Sequence, residues 1–295
     1  MSSVSLYPDQ QTLTIGAALT ALTESLERVG AESPAVSAEW LMEDLSGVPR
    51  LALADHADQM LSTAQMARYR AIADRVERAE PLQYILGHAA FMDLELACDR
   101  RALIPRPETE TLLATIFADY STTDQARPVV IDVGTGSGCI ALAIAAEWRD
   151  AQVTAIDLHQ EALALAKENA VRLNLSDRIT WQQGDLLEGV PPASADLVIA
   201  NLPYIATPDW LNLSSEVRLH EPRSALDAGP MGTELLYRLI DQALTVLRSG
   251  GRIYLEIGSD QGAAMKEAML SKGFADVAVK PDLVGRDRMV KGTRR

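Results

Sequence analysis

The sequence predicts an α/β protein: a small all-helical region followed by a seven-stranded, mostly parallel sheet. Three observations carry that prediction. From residue 128 onward, short apolar runs alternate with helical patterns, the signature of a parallel sheet covered on both faces. Before residue 80, apolar residues recur at spacings of three and four, and no strand pattern appears. The first strand of the alternating part runs into Asp132-Val133-Gly134-Thr135-Gly136-Ser137-Gly138, and Asp157 ends the next strand. Glycines at such a turn let the backbone bend sharply and a ligand approach closely.

The helical region is read as three helices. Ile15, Leu19, Leu22, Leu26 and Val29 mark one face, with Gly30 as the stop. Ser33-Pro34 has the form of an N-cap followed by a first helical residue. The helix it opens turns Ala38, Leu41 and Leu45 inward and ends at Gly47. Ser62 and Gln65 have capping-box spacing and start a helix carrying Met66, Tyr69, Ile72 and Val76. Pro81 breaks the pattern. Tyr84 to Phe91 and Leu94 to Leu103 read as a hairpin, and Pro105-Arg106-Pro107 as an extended lead into a helix near Glu108.

In the alternating part, strands are expected at Val129–Val133, Val153–Asp157, Ile179–Gln182, Asp196–Ala200, Arg252–Ile257 and near Val277 and Met289. Helices are expected at Cys139–Trp148, Gln160–Leu173, Glu234 to about Arg248, and Gln261–Ser271. The last two strands pair antiparallel across the turn-prone Pro281 to Asp287. The resulting division is 1–80 helical domain, 81–107 hairpin linker and 108–295 α/β domain.

Composition narrows the function classes. A net charge of −14 argues against stable nucleic-acid binding, since phosphate neutralisation needs a basic face. No run approaches the roughly 18 apolar residues of a membrane span. Met1 to Gln10 has neither the basic start nor the apolar core of a secretory signal. Cys98 and Cys139 are too few and too scattered for a disulfide framework or zinc site, and His56, His88, His159 and His220 are equally scattered. No metal is expected, and the setting is read as reducing and cytoplasmic.

Two turns carry the chemistry. An acidic residue placed like Asp157 accepts hydrogen bonds from ribose hydroxyls. The second turn, Asn201-Leu202-Pro203-Tyr204, follows the apolar strand Asp196 to Ala200, at the sheet end where ligands bind in open α/β folds. A polar amide, a rigid Pro and an aromatic ring there suit a flat amide or amine. The glycine spacing G-x-G-x-G differs from the dinucleotide pattern G-x-G-x-x-G. It resembles that of S-adenosylmethionine-dependent methyltransferases of class I, in which Asp185 would lie near the adenine.

The wider resemblance is more specific. Pro81-Leu82-Gln83-Tyr84-Ile85-Leu86-Gly87 with Phe91, Ile104-Pro105-Arg106-Pro107-Glu108-Thr109-Glu110 and Asn201-Leu202-Pro203-Tyr204-Ile205 resemble signatures of one family. So do Glu221-Pro222-Arg223 with Ala225, Leu226 and Gly229, Leu255-Glu256-Ile257-Gly258, and Asp282-Leu283 with Gly285, Asp287 and Arg288. Together, over about residues 12 to 293, the chain resembles the release-factor glutamine methyltransferases of HemK/PrmC type.

The resemblance implies methylation of the glutamine amide in the Gly-Gly-Gln loop of peptide chain release factors. It implies cofactor contacts by Gly134, Thr135, Gly136, Ser137, Gly138, Asp157, Asp185, Leu186 and Asn201. Substrate contacts fall to Asn201, Leu202, Pro203 and Tyr204, with Asn201 and Tyr204 as the catalytic pair. The helical domain would dock the substrate protein. The family carries Pro where this chain has Leu202, but the expected contact is a main-chain carbonyl. Glutamine methylation of a ribosomal protein, or adenine-amino methylation of nucleic acid, are the alternatives for the same active-site logic. Phe91, Arg106, Glu108 and Arg223 are each read either as site residues or as core and ion-pair residues.

Overall fold

The computed structural model describes residues 12–120 and 128–295. The leader reading of Met1 to Gln10 falls outside the described residues. The chain divides into two compact units, the first running through Gly87 and including Ser215–His220, the second comprising His88–Ser214 and Glu221–Arg295.

In the first unit, α1 spans Ile15–Val29, α2 Pro34–Ser46 and α3 Thr63–Glu77. Leu22, Leu41, Met42, Tyr69 and Val76 form its buried centre. Gly30 ends α1 in the left-handed conformation, as a C-terminal glycine should. The capping box at α3 is complete: Gln65 N–H donates to Ser62 Oγ at 3.3 Å and Ser62 N–H to Gln65 Oε1 at 2.9 Å. Ser33 does occupy the α2 cap position, but its side chain makes no capping bond.

One expectation fails here. The start of the expected hairpin is a short helix, α4, Leu82–Leu86. Pro81 precedes it, and Gly87 closes it in the left-handed conformation. Arg75 donates to the Tyr84 and Ile85 carbonyls at 2.7 and 3.1 Å and so satisfies the helix end. The helix Ser215–His220 (labelled α8 in chain order) sits in this unit, with His220 Nε2 2.8 Å from the Arg78 carbonyl.

The second unit opens with a two-stranded antiparallel pair, β1 His88–Phe91 and β2 Leu94–Ala97, shorter at both ends than expected. Then come α5 Pro107–Tyr120, β3 Val129–Val133, α6 Cys139–Glu147, β4 Gln152–Asp157, α7 Gln160–Arg172, β5 Ile179–Gln183 and β6 Ala195–Ala200. They are followed by α9 Glu234–Val246, β7 Leu247–Glu256, α10 Gly262–Ser271, β8 Phe274–Pro281 and β9 Asp287–Arg294. The sheet order is β5-β4-β3-β6-β7-β9-β8, parallel except for β9, which runs antiparallel to both β7 and β8.

Its strands are long apolar runs because both faces are buried, one under Ile140, Ile144 and Leu113, the other under Leu239, Ile240 and Met265. Helix α9 stops two residues earlier than expected. Gly250 and Gly251 lie inside β7, where its pairing with β6 shifts register, and Gly250 takes φ 79° there. The order reverses between β3 and β6, and that reversal fixes where a ligand crevice opens.

Candidate active site

The turn after β3 is held by its own glycines and by the end of β4, where the Ile156 carbonyl accepts from Gly134 N–H at 2.8 Å and Thr135 N–H at 3.0 Å. Gly134, Gly136 and Gly138 take φ of 72°, 56° and 84°, a conformation that side-chain-bearing residues rarely adopt. Gly136 N–H donates to Asp157 Oδ2 at 2.9 Å, and His159 N–H to Asp157 Oδ1 at 2.8 Å. A carboxylate offers about four acceptor positions, so Asp157 keeps capacity for two hydroxyl donors.

Beneath the turn, Asp132 Oδ2 accepts from Thr135 Oγ1 at 2.6 Å and Ala141 N–H at 3.1 Å, while Oδ1 is buried with no partner. Burial pushes the Asp132 carboxyl up to about 7.

The turn after β6 is held from elsewhere in the unit. Asn201 Nδ2 donates to Thr109 Oγ1 in α5 at 2.9 Å, and Thr109 Oγ1 donates to Glu256 Oε2 in β7 at 2.7 Å. Gln261 Nε2 donates to the Tyr204 carbonyl at 2.9 Å and to the Gly232 carbonyl at 3.0 Å. Arg288 stands beside Tyr204, its Nη1 3.4 Å from the hydroxyl. Burial pushes the Tyr204 phenol up to about 12, which keeps it neutral. Among the described residues neither Asn201 Oδ1 nor the Leu202 carbonyl accepts a hydrogen bond.

Gly134, Gly136, Asp157, Asp185, Leu186, Asn201, Leu202 and Pro203 line one cavity. Thr135, Ser137, Gly138 and Tyr204 do not line it. Thr135 turns its hydroxyl to Asp132, Ser137 Oγ is buried without a partner, and a Cβ on Gly138 would meet Ala166 at 3.0 Å. Asp185 is at the wall but also pairs with Arg238 at 2.8 Å. Leu186 takes φ 54°, a costly conformation for leucine, at the same wall.

Of the four undecided residues, three make core or ion-pair contacts. Phe91 is buried in the core. Arg106 pairs with buried Glu221, not with Glu108, and Glu221 also accepts from Ile104 N–H at 3.1 Å. Arg223 pairs with Asp227 at 2.7 Å and lies over the Trp210 ring. Glu108 lies with Leu283 and Val284 at a separate shallow cavity.

Sequence reasoning missed Thr109, Glu256 and Gln261 as partners of the Asn201 turn. A signal existed for one of them: Glu256 interrupts an apolar strand, and a buried acid demands a partner.

The cavity fits an adenosyl group. Asp157 offers acceptors for a ribose diol, and Leu158, Ala162 and Leu186 offer apolar walls for a purine. The glycine turn is a cradle that side chains would fill: a Cβ on Gly134 would stand 2.7 Å from Leu202 Cδ2. Among the described residues no group of acidic, His or Cys side chains suits a metal, and no helix is long and apolar enough to cross a membrane.

Comparison with known proteins agrees with this geometry. Residues 17–87 match the family model of the PrmC N-terminal domain, and residues 130–220 match that of a methyltransferase domain. The chain is 36% identical over 283 residues to the release factor glutamine methyltransferase of Caulobacter vibrioides, covering 96% of this chain and 97% of that protein. It is 38% identical over 279 residues to the protein of the same name from Moorella thermoacetica, covering 93% and 98%.

Among solved structures, the hMettl16 catalytic domain in complex with a 3′UTR hairpin shares the fold at a TM-score of 0.56 and 18% identity, over 78% of this chain and 82% of that one. S-adenosylmethionine is the cofactor such a domain uses. With the two turns at adjacent strand ends and relatives this similar over nearly the whole length, the chain belongs to the release factor glutamine methyltransferase family.

Proposed function

We propose that this protein transfers a methyl group from S-adenosylmethionine to the side-chain nitrogen (N5) of the glutamine in the Gly-Gly-Gln loop of peptide chain release factors. The observation that supports this most is the Asn201 amide, tied through Nδ2 to Thr109 so that Oδ1 remains an acceptor beside the Leu202 carbonyl. Two acceptors match the two hydrogens of a primary amide.

An amide nitrogen is a poor nucleophile because its lone pair is delocalised into the carbonyl. When bound, S-adenosylmethionine supplies an electrophilic sulfonium methyl. The protein's share is orientation and charge. Asn201 Oδ1 and the Leu202 carbonyl hold the two amide hydrogens and favour positive charge building on nitrogen. Orientation of this kind lowers a barrier by up to roughly 7–11 kcal/mol. Tyr204 packs against the flat amide, Pro203 fixes the direction of the turn, and the surplus proton leaves to water.

The proposed cofactor contacts are Asp157, Asp185, Leu186, Asn201 and the main chain of Gly134, Thr135, Gly136, Ser137 and Gly138. The helical unit is the proposed docking surface for the release factor, on the strength of its exposed Trp40, Leu51 and Met60. Stable nucleic-acid binding is not part of this reading, given the net charge of −14. The proposed setting is the cytoplasm, where release factors act.

The test uses methyl-labelled cofactor with, in separate reactions, a release factor, its loop Gln→Ala variant, ribosomal protein and duplex DNA. Label on the release factor alone is the expected result. Label on DNA, or on the loop variant, overturns the reading.

A further inference from the structure

Glu256 is 1% exposed inside β7, and the transfer chemistry above gives it no task. Its Oε2 accepts from Thr109 Oγ1, and Thr109, also 1% exposed, accepts from Asn201 Nδ2. A hydroxyl has a single hydrogen. Where that hydrogen goes decides which end of the Asn201 amide faces Thr109. With the hydrogen on Glu256, the Thr109 lone pair takes an N–H of Asn201, and Oδ1 is turned away from Thr109.

We infer that Thr109 and Glu256 are positioning residues of the methyl transfer, forming a relay that presents Asn201 Oδ1 to the substrate amide. The inference rests on the reading of Asn201 as the amide acceptor. The two ends of an asparagine amide have nearly the same shape, so only hydrogen bonds choose between them. A flipped Asn201 would meet a substrate NH₂ group donor against donor.

The direction of the relay depends on the charge of Glu256. An ionised carboxylate only accepts, so it draws the Thr109 hydrogen. A protonated Glu256 can donate to Thr109, which frees the Thr109 hydrogen for Asn201 Oδ1 and favours the flip. Burial pushes the Glu256 carboxyl up to about 7, against the Thr109 hydrogen bond and the positive charge of Arg288 and Arg106. Glu108 adds to the upward push, and the neutral Tyr204 phenol and Cys139 thiol also feel the Glu256 charge. These groups face Glu256 from β9, from α5 and the segment before it, from the β6 turn and from α6.

The experiment compares wild type with Thr109→Val, Thr109→Ser and Glu256→Gln. It measures transfer to a release factor, S-adenosylhomocysteine affinity by calorimetry, and exchange of the Asn201 side-chain amide hydrogens by NMR. Thr109→Val should lower kcat about 100-fold, the scale of one lost preorganised hydrogen bond at a reacting group. Product affinity should fall far less than kcat, since Asn201 is only one of many proposed cofactor contacts.

Thr109→Ser should restore most of the rate. Wild-type kcat should rise with pH through one ionisation near neutrality, and Glu256→Gln should lose that acidic limb. A Thr109→Val enzyme within about threefold of wild type, a Ser variant as impaired as Val, or an unchanged limb in Glu256→Gln would each overturn the relay. The amide hydrogens should exchange slowly in wild type and fast in Thr109→Val. Equal exchange in both overturns the relay even if no release factor is methylated. Absence of transfer by wild type instead overturns the proposed function, which keeps the two failures apart.

Discussion

The turns after β3 and β6 stand at the ends of adjacent parallel strands, yet their supports lie at very different distances along the chain. The β3 turn takes its shape from positive-φ glycines, from Asp132, whose partners Thr135 and Ala141 lie within nine residues, and from the end of the next strand, where Asp157 holds Gly136 from 21 residues away. The β6 turn has no glycine and takes its shape from Thr109, 92 residues away, and from Gln261, 57 residues away. The glycine cradle is encoded within one strand–helix–strand stretch, whereas the proposed acceptor pair after β6 is held by distant parts of the chain. Each experiment below asks whether the two turns are as separate as that contrast implies.

The largest effect should come from Asn201→Ala. Removing the acceptor proposed to hold the reacting nitrogen should lower kcat on the order of 1000-fold. Stability should fall only by about 1 kcal/mol, the net worth of the lost bond to Thr109. Product affinity measured by calorimetry should change far less than kcat. Normal turnover would remove Asn201 from the chemistry.

Next in size is a pH effect on the β3 turn. The folded-state pKa of Asp132 lies above its ordinary value, so the folded protein holds a proton that the unfolded chain releases. That stabilisation is fully present below the ordinary carboxylate pKa and is lost as pH rises through about 7. Asp132→Asn should remove this share, flattening the stability difference between about pH 5 and 8 by up to about 3 kcal/mol. Denaturant titrations of both proteins across that range measure it, and an identical pH slope would contradict the upward push on the buried Asp132 carboxyl.

The contrast also explains how much was legible in the sequence. The glycine cradle and Asp157 could be read because each glycine's conformation is a local demand. Asn201 could be read as a polar residue at a strand end, but its orientation could not, since Glu256 lies 147 residues from Thr109. The same logic covers the fold. The parallel strands announced themselves as long apolar runs, while Leu82–Leu86 was too short for periodicity to separate helix from strand. Gly250-Gly251 read as a helix stop because the β6 partner that makes it a bulge is absent from any local window.

A smaller effect is expected at Gly134→Ala. The residue's φ of 72° strains any side-chain-bearing replacement by about 1–2 kcal/mol. Its Cβ would stand 2.7 Å from Leu202 Cδ2, the flexible end of a side chain that can shift. We expect S-adenosylhomocysteine affinity to weaken about tenfold, matching about 1.4 kcal/mol. The drop in kcat at saturating cofactor should be small by comparison, and a loss of kcat like that of Asn201→Ala would merge the two turns into one unit.

The smallest effect on transfer should come from Leu202→Pro, the position where the two turns touch. The carbonyl proposed to bind substrate is retained. Leu202 N–H makes no hydrogen bond among the described residues, so proline removes none. Proline also holds the preceding Asn201 in an extended conformation, the one a strand end already favours. Leu202 is 4% exposed, so trimming its side chain should cost about 1–2 kcal/mol of stability. Transfer should stay within about threefold of wild type, since the reacting groups are unchanged. The double variant with Gly134→Ala sharpens the point. Proline removes the Cδ2 atom that the new Cβ would meet, so the steric part of the Gly134→Ala cost should be relieved and the φ part should remain. A coupling energy above about 0.5 kcal/mol in that cycle would show that Leu202 is where the locally built cradle leans on the tertiary clamp.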